Sequence, residues 1–252
     1  MHLLITNDDG IQAQGILTLA RVAVKAGHTV MIVAPATQQS ATGHRLTINE
    51  SLMVQTRSID PDFESFAING TPVDCVRIGR KLSDRPFDFC LSGINDGLNV
   101  GTDLFYSGTA AAAREAAMLY LPSMAISIES HADEDMLVHL AEQALMIMDY
   151  IIKRPMPRLT FCNLNAPCLP PGKVKPAKIT PLSESYWLDE YVERVNPRGQ
   201  RYFWLENGVL KEEAEAGTDA IMIQQGHLTV SFVGGFVNNN ALYYPKLEEI
   251  LG

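Results

Sequence analysis

The sequence predicts an α/β fold: a Rossmann-like, mostly parallel sheet flanked by helices, with a C-terminal β-hairpin extension. Three observations predict it. The chain opens as strand, loop, helix, strand, the order of a right-handed βαβ unit. Its predicted strands are apolar throughout, as strands covered on both faces must be. Helical apolar periods then alternate with further strands as far as about residue 170. With 252 residues and 46% hydrophobic content the chain can bury a substantial core, so one elaborated domain is expected. Within it, residues 1–170 form the core and 171–252 a C-terminal extension.

The opening HLLITNDDG is an apolar strand that ends in Asn7, Asp8, Asp9 and Gly10. Ligands of open α/β sheets sit beyond the carboxyl ends of the strands, so Asp8 and Asp9 face the expected crevice. Adjacent carboxylates repel, and a hard divalent cation relieves that repulsion. The alternative is that the pair only makes a turn and caps the next helix. Gly15 to Ala26 places Ile16, Leu19, Ala20 and Ala23 on one helical face, with Gly27 as the stop. HTVMIVA is a buried strand, and the polar loop after Pro35 brings Ser40, Gly43 and His44 out at the same edge as the acids. Ser40 and His44 read equally well as ordinary loop residues.

LTINESLMVQTR and FESFAING suggest a short β excursion, and NGTPVDCVRIGRKL a helix opening with Thr71, Pro72 and Asp74 in a structural first turn. FDFCLSGIND is a strand ending at Ser92 and Gly93, followed by a glycine-punctuated loop that offers Asn95. YSGTAAAARE then starts an alanine-rich helix. Ser107, Gly108 and Thr109 at its N-terminus supply free N–H groups and hydroxyls for a phosphate, or serve as a plain N-cap. SMAISIE and LTFCNLNAP are strands around a helix whose stripe of Leu137, Leu140, Ala141, Ala144, Leu145, Met148 and Ile151 is core packing.

Proline and glycine punctuate residues 167–178, the soft boundary of the core. Ser183 to Ala216 is rich in aromatic and charged residues, and it reads as a hairpin turning at Asn207 and Gly208. Such an arm is a poor core by itself and is expected to pack on the body or on another subunit. A short segment from Thr218, the strand HLTVSFV and a short C-terminal helix complete the chain.

The net charge of -9 argues against a stable nucleic-acid complex, since phosphate backbones demand a basic surface. No apolar run approaches the roughly 20 residues of a membrane span, and the start lacks a signal-peptide pattern, so no membrane association and a cytoplasmic location are expected. Cys75, Cys90, Cys162 and Cys168 show no CxxC spacing and are expected to be reduced, mostly buried thiols.

The segments ITNDDG, APATQQSATGH, NGTPVDCV, SGINDGLNVGTDLFYSGTAAAARE, NPRGQRYFW and TDAIMIQQG together resemble the SurE family of stationary-phase survival proteins, which are metal-dependent nucleotidases. The resemblance spans most of the chain. It implies one divalent ion per subunit, magnesium or manganese, held by Asp8, Asp9, Ser40 and Asn95, with phosphate bound at Ser107, Gly108 and Thr109. It implies a 5'-nucleotidase in which Asp8, Asp9 and Asn95 carry catalysis on a nucleoside monophosphate, with short oligonucleotides or polyphosphate as further candidates. It also implies a homodimer or homotetramer. A non-catalytic nucleotide or metal sensor and a metal-dependent nucleotide-sugar transferase are the alternatives. Asp96 departs from the family pattern, in which a basic residue or histidine often follows SGIN, and the tail HLTVSFVGGFVNNN departs as well.

Overall fold

All five residues of the opening run, His2–Thr6, are buried because the run becomes β1 at the middle of a nine-stranded sheet. The computed structural model describes residues 1–184, 186–211 and 215–234. Along the chain follow α1 (Gln14–Lys25), β2 (Thr29–Pro35), β3 (Val54–Arg57), β4 (Glu64–Ile68), α2 (Pro72–Leu82), β5 (Phe89–Asp96) and α3 (Gly108–Met118). Next come β6 (Ser123–Ile128), α4 (Glu134–Lys153), β7 (Thr160–Ala166), β8 (Lys175–Ile179), β9 (Tyr186–Val195), β10 (Arg201–Lys211), α5 (Asp219–Gln224) and β11 (His227–Gly234). The expected C-terminal helix lies outside the described residues.

The sheet order is β3-β4-β2-β1-β5-β6-β7-β11-β8. Pairing is parallel from β4 through β7, whereas β3 and β11 join antiparallel to β4 and β7. From β1 the chain winds outward to β2 and later returns to β5 on the other side. Strand order therefore reverses between β1 and β5, and that is where an open α/β sheet leaves a crevice. Alternation along β1 decides the layers: Leu3 and Ile5 enter the core under α1 and α4, and Leu4 the core under α2. The α1 N-terminus docks directly on the β5 backbone, since a Cβ on Gly15 would lie 2.1 Å from the Ile94 carbonyl oxygen.

Local chemistry fixes the helix starts. Thr71 and Asp74 form a reciprocal capping box on α2, and Asp74 also receives Thr47 N–H and hydroxyl at 3.0 and 2.7 Å, so it is structural as expected. Cys75, Cys90 and Cys162 are buried free thiols, and burial pushes Cys90 and Cys162 up to about 12.

The arm is β9 paired antiparallel with β10, but it turns at residues 196–200 and not at Asn207 and Gly208. Asn196 Oδ1 accepts the N–H groups of Arg198 and Gln200, and Gly199 takes φ 77°. Asn207 and Gly208 instead fall where the register shifts between Glu206 and Val209, a bulge inside β10. The predicted strand end at Ser92 and Gly93 also moves: β5 continues to Asp96 past a register irregularity between Ser92 and Asn95.

Candidate active site

Asn7 shapes the tip of β1. Its side chain donates to Gly10 O at 2.9 Å and accepts Gly10 N–H at 3.2 Å, closing a buried turn that turns Asp8 and Asp9 outward. Asp8 points at the start of α3. Its carboxylate accepts the Thr109 hydroxyl at 2.5 Å and the Thr109 N–H at 3.2 Å. The helix N-terminus thus already binds an anionic group, as free N–H groups and the dipole favour. Ser107 is the N-cap, accepting Ala110 N–H at 3.0 Å. Gly108 lets strand and helix meet: a Cβ there would lie 2.8 Å from the Asp8 Cβ and 2.9 Å from its Oδ2.

Asn95 joins them from β5. Its Nδ2 donates to Gly97 O at 2.7 Å, which turns Oδ1 toward Thr109, 3.4 Å from the hydroxyl. Asp9 accepts the Asp96 N–H at 3.2 Å. Burial, with the nearby charges of Asp8 and Asp96, pushes the Asp9 carboxyl up to about 6 against that single hydrogen bond. Burial raises Asp8 as well, although Thr109 and the Gly108 N–H oppose it.

Ser40 arrives on the loop after β2, which touches the acids through its backbone: Gln39 N–H donates to Asp8 O at 2.7 Å. The Ser40 side chain itself is exposed and bonded to Gln38 Nε2 at 3.0 Å. The structure therefore brings Asp8, Asn95, Ser107, Gly108 and Thr109 together, sets Asp9 beside Asp96, and holds Ser40 next to the cluster without direct contact with the acids. A cavity of about 290 Å³ opens beside Asp9 among Gln14, Gln38, Ile94, Asp96 and His131.

Two features escaped the sequence. One is a buried amide network under the glycine-rich loop: Asn99 N–H meets Asn165 Oδ1 at 2.8 Å, and Asn163 and Asn165 both donate to Asn99 O. Asp219 extends it, accepting Gly101 N–H at 3.0 Å and Ser183 N–H at 2.7 Å, so the root of the arm is tied to the loop that leads to α3. The repeated Asn in LTFCNLNAP, inside an apolar strand, was its signal. The other is a cluster around Glu115, for which the local sequence carried none.

A paired-acid strand tip beside a helix N-terminus, at the reversal point of a parallel sheet, defines an α/β protein with its polar crevice at the strand ends. Residues 3–189 match the family model described as Survival protein SurE, and the chain belongs to the SurE family. It is 40% identical over 259 residues to the 5'-nucleotidase SurE of Desulfovibrio desulfuricans, covering 100% of both chains. It is 37% identical over 252 residues to that of Thermosipho melanesiensis, covering 99% of this chain and 97% of the relative. The crystal structure of the SurE protein from Aquifex aeolicus matches with a TM-score of 0.81 at 31% identity, covering 99% of this chain and 100% of that one.

Among the described residues no three His, Cys, Asp or Glu side chains converge as a metal site, and neither Asp8 nor Asp9 has a salt bridge. The donors at hand are two carboxylates, an amide oxygen and a hydroxyl. That hard-oxygen set, in a buried tip where burial raises both carboxyls, fits a hard divalent cation. Among the described residues no helix is long and apolar enough to cross a membrane.

Proposed function

We propose that this chain is a metal-dependent 5'-nucleotidase that hydrolyses nucleoside monophosphates to nucleoside and phosphate. The observation that carries the reading is the Asp8–Asp9 tip of β1 pressed against the N-terminus of α3, in a chain whose full-length relatives are named 5'-nucleotidase. Asp8, Asp9, Ser40 and Asn95 would hold one divalent ion per subunit. When bound, it supplies Lewis acidity and a water of lowered pKa. Asp8 would be one of its ligands, while the Thr109 hydroxyl and N–H, with the Ser107 hydroxyl and the Gly108 N–H, would grip the phosphoryl oxygens. Asn95, fixed by Gly97, orients the group between them. We assign the attack to water because both acids serve as ligands. The relatives' names give no support to the sensor or transferase alternatives.

The test is phosphate release from nucleoside monophosphates and from sugar phosphates of equal charge, with and without manganese or magnesium. Nucleoside monophosphates should be preferred by kcat/KM, and release should require the metal. Preference for glucose phosphate or a nucleotide sugar overturns the reading, as does turnover in full chelator.

We further propose that the chain assembles into a homodimer or homotetramer through the β9–β10 arm. The arm exposes Leu188, Tyr191, Val195, Phe203, Trp204 and Leu205, more apolar surface than a lone hairpin leaves to water. Light scattering at micromolar concentration should give a multiple of the 27.7 kDa chain mass, and removal of residues 186–211 should lower it. A monomer before that deletion refutes the assembly.

A further inference from the structure

Glu115 is an acid in a helix of alanines, 1% exposed and seven residues, about two turns, beyond Gly108 on the same face of α3. A buried carboxylate needs partners, and two surround it. Arg77, from α2, forms an ion pair with it, Nε to Oε1 at 2.6 Å. His44 bonds the other oxygen, Nε2 to Oε2 at 2.8 Å. Burial alone would raise the Glu115 carboxyl, yet the His44 bond and the Arg77 charge hold it below its ordinary value. Arg114 Nε donates to His44 Nδ1 at 2.9 Å, so that nitrogen is an acceptor and the ring proton sits on Nε2, facing Glu115.

His44 comes from a stretch without regular structure, the loop that carries Ser40. The loop is pinned to the tip of β1 at one end by Gln39 N–H on Asp8 O and to the turn just before α3 at the other by Gly43 N–H on Tyr106 O at 2.9 Å, directly beside the His44 bond. Between the pins Thr42 hydroxyl closes back on Gln39 O at 2.8 Å, and Ala41 takes φ 57°. Ser40 lies in this short closed span. A separate anchor, Thr47 on Asp74, ties the far end of the loop to α2, so the His44 bond is redundant for attaching the loop and specific for its placement.

We propose that His44, through Glu115, is a positioning residue that sets Ser40 against the acid pair by locking its loop to the helix that cradles the phosphate. The inference rests on the metal-dependent reading above. Asp8 and Asp9 follow directly on β1 and Asn95 lies in β5, whereas Ser40 is carried by the loop after β2, so its contribution depends on what holds that loop.

The experiment measures manganese binding to the substrate-free chain by calorimetry, together with the manganese dependence of phosphate release. His44→Ala should weaken manganese binding roughly tenfold, the scale of losing an outer partner of a metal ligand. It should leave kcat at saturating manganese within about threefold of the parent. Ser40→Ala should weaken binding to a similar degree, and the two substitutions together no further, because both remove one contribution. His44→Gln, whose amide can still donate to Glu115, should recover most of the affinity. If His44→Ala fails to fold, His44→Asn, too short to reach Glu115, takes its place. Unchanged manganese affinity, or losses that add in the double variant, overturns the proposal while leaving the nucleotidase reading intact. A parent chain that binds neither manganese nor magnesium overturns both.

Discussion

Asp8→Asn and Asp9→Asn are each expected to lower metal-dependent phosphate release by on the order of 100-fold, while the chain stays folded. Asparagine keeps the size and turn tolerance of aspartate and is as good an N-cap, so a pair that only made a turn would survive the change. The charge alone is lost, and with it one of two anionic ligands. Stability moves the other way. Asp9 is pushed up to about 6, so its protonated form is favoured in the folded chain. That contribution is complete below the unfolded value near pH 4 and is lost as the pH rises through about 6. Metal-free chain should therefore melt at lower temperature at pH 7 than at pH 4.5 on account of this group. Asp9→Asn should remove that slope and gain on the order of 1 kcal/mol at pH 7, allowing for solvent screening of a partly exposed carboxylate. Asp8→Asn gains less, because Asp8 also accepts two donors from Thr109. Phosphate release and melting curves, each in chelator and in saturating manganese, check both halves. Near-normal turnover at matched metal would show that the β1 tip is not the active site.

Gly108→Ala is expected to cut kcat/KM by on the order of 100-fold, the cost of misplacing a preorganised group. The added carbon would stand 2.8 Å from the Asp8 Cβ, 2.9 Å from its Oδ2 and 3.1 Å from Pro72 Cγ. A Cβ cannot swing aside as a side-chain end can, so either the strand tip or the helix start must shift. Both are proposed parts of the site. Alanine is meanwhile the better helix former by about 1 kcal/mol, which offsets part of the steric cost. Activity should thus fall far more than melting temperature. Turnover within threefold of the parent, with intact folding, would mean that the phosphate is gripped elsewhere.

The parts of this molecule that were legible in sequence are those whose cause is local. A buried strand such as β1 announces itself by unbroken apolar residues, and α2 and α3 by Thr71 with Asp74 and by Ser107 at their caps. β8 was not legible because its residues, Lys175–Ile179, are all exposed along one edge of the sheet. With no buried face it has no alternation, and an edge tolerates Pro176. The hairpin misled for a related reason: Asn-Gly is the stronger turn signal, but the pairing of β9 with β10 absorbs it as a bulge. In the site, the acid pair was visible as chemistry at a strand end, while the Glu115 cluster was not. His44 and Glu115 are 71 positions apart, and neither residue's neighbours hint at the other.

Asp8 and Thr109 are 101 positions apart, and Asp9 and Asp96 are 87 apart. A site at the reversal point of a parallel sheet is built wholly from such distant pairs, and their loop-closure entropy is met late in folding. No fragment of the chain could hold the proposed ligand set, since β1 brings the acids, β5 the amide and α3 the N-terminal donors. Ion binding and global folding would therefore share one equilibrium, since an ion bound only by a native chain stabilises it by mass action. The same ion that serves the proposed chemistry would act as a clamp across the middle of the sheet, sparing the crevice from carrying two opposed charges whenever the chain is at work.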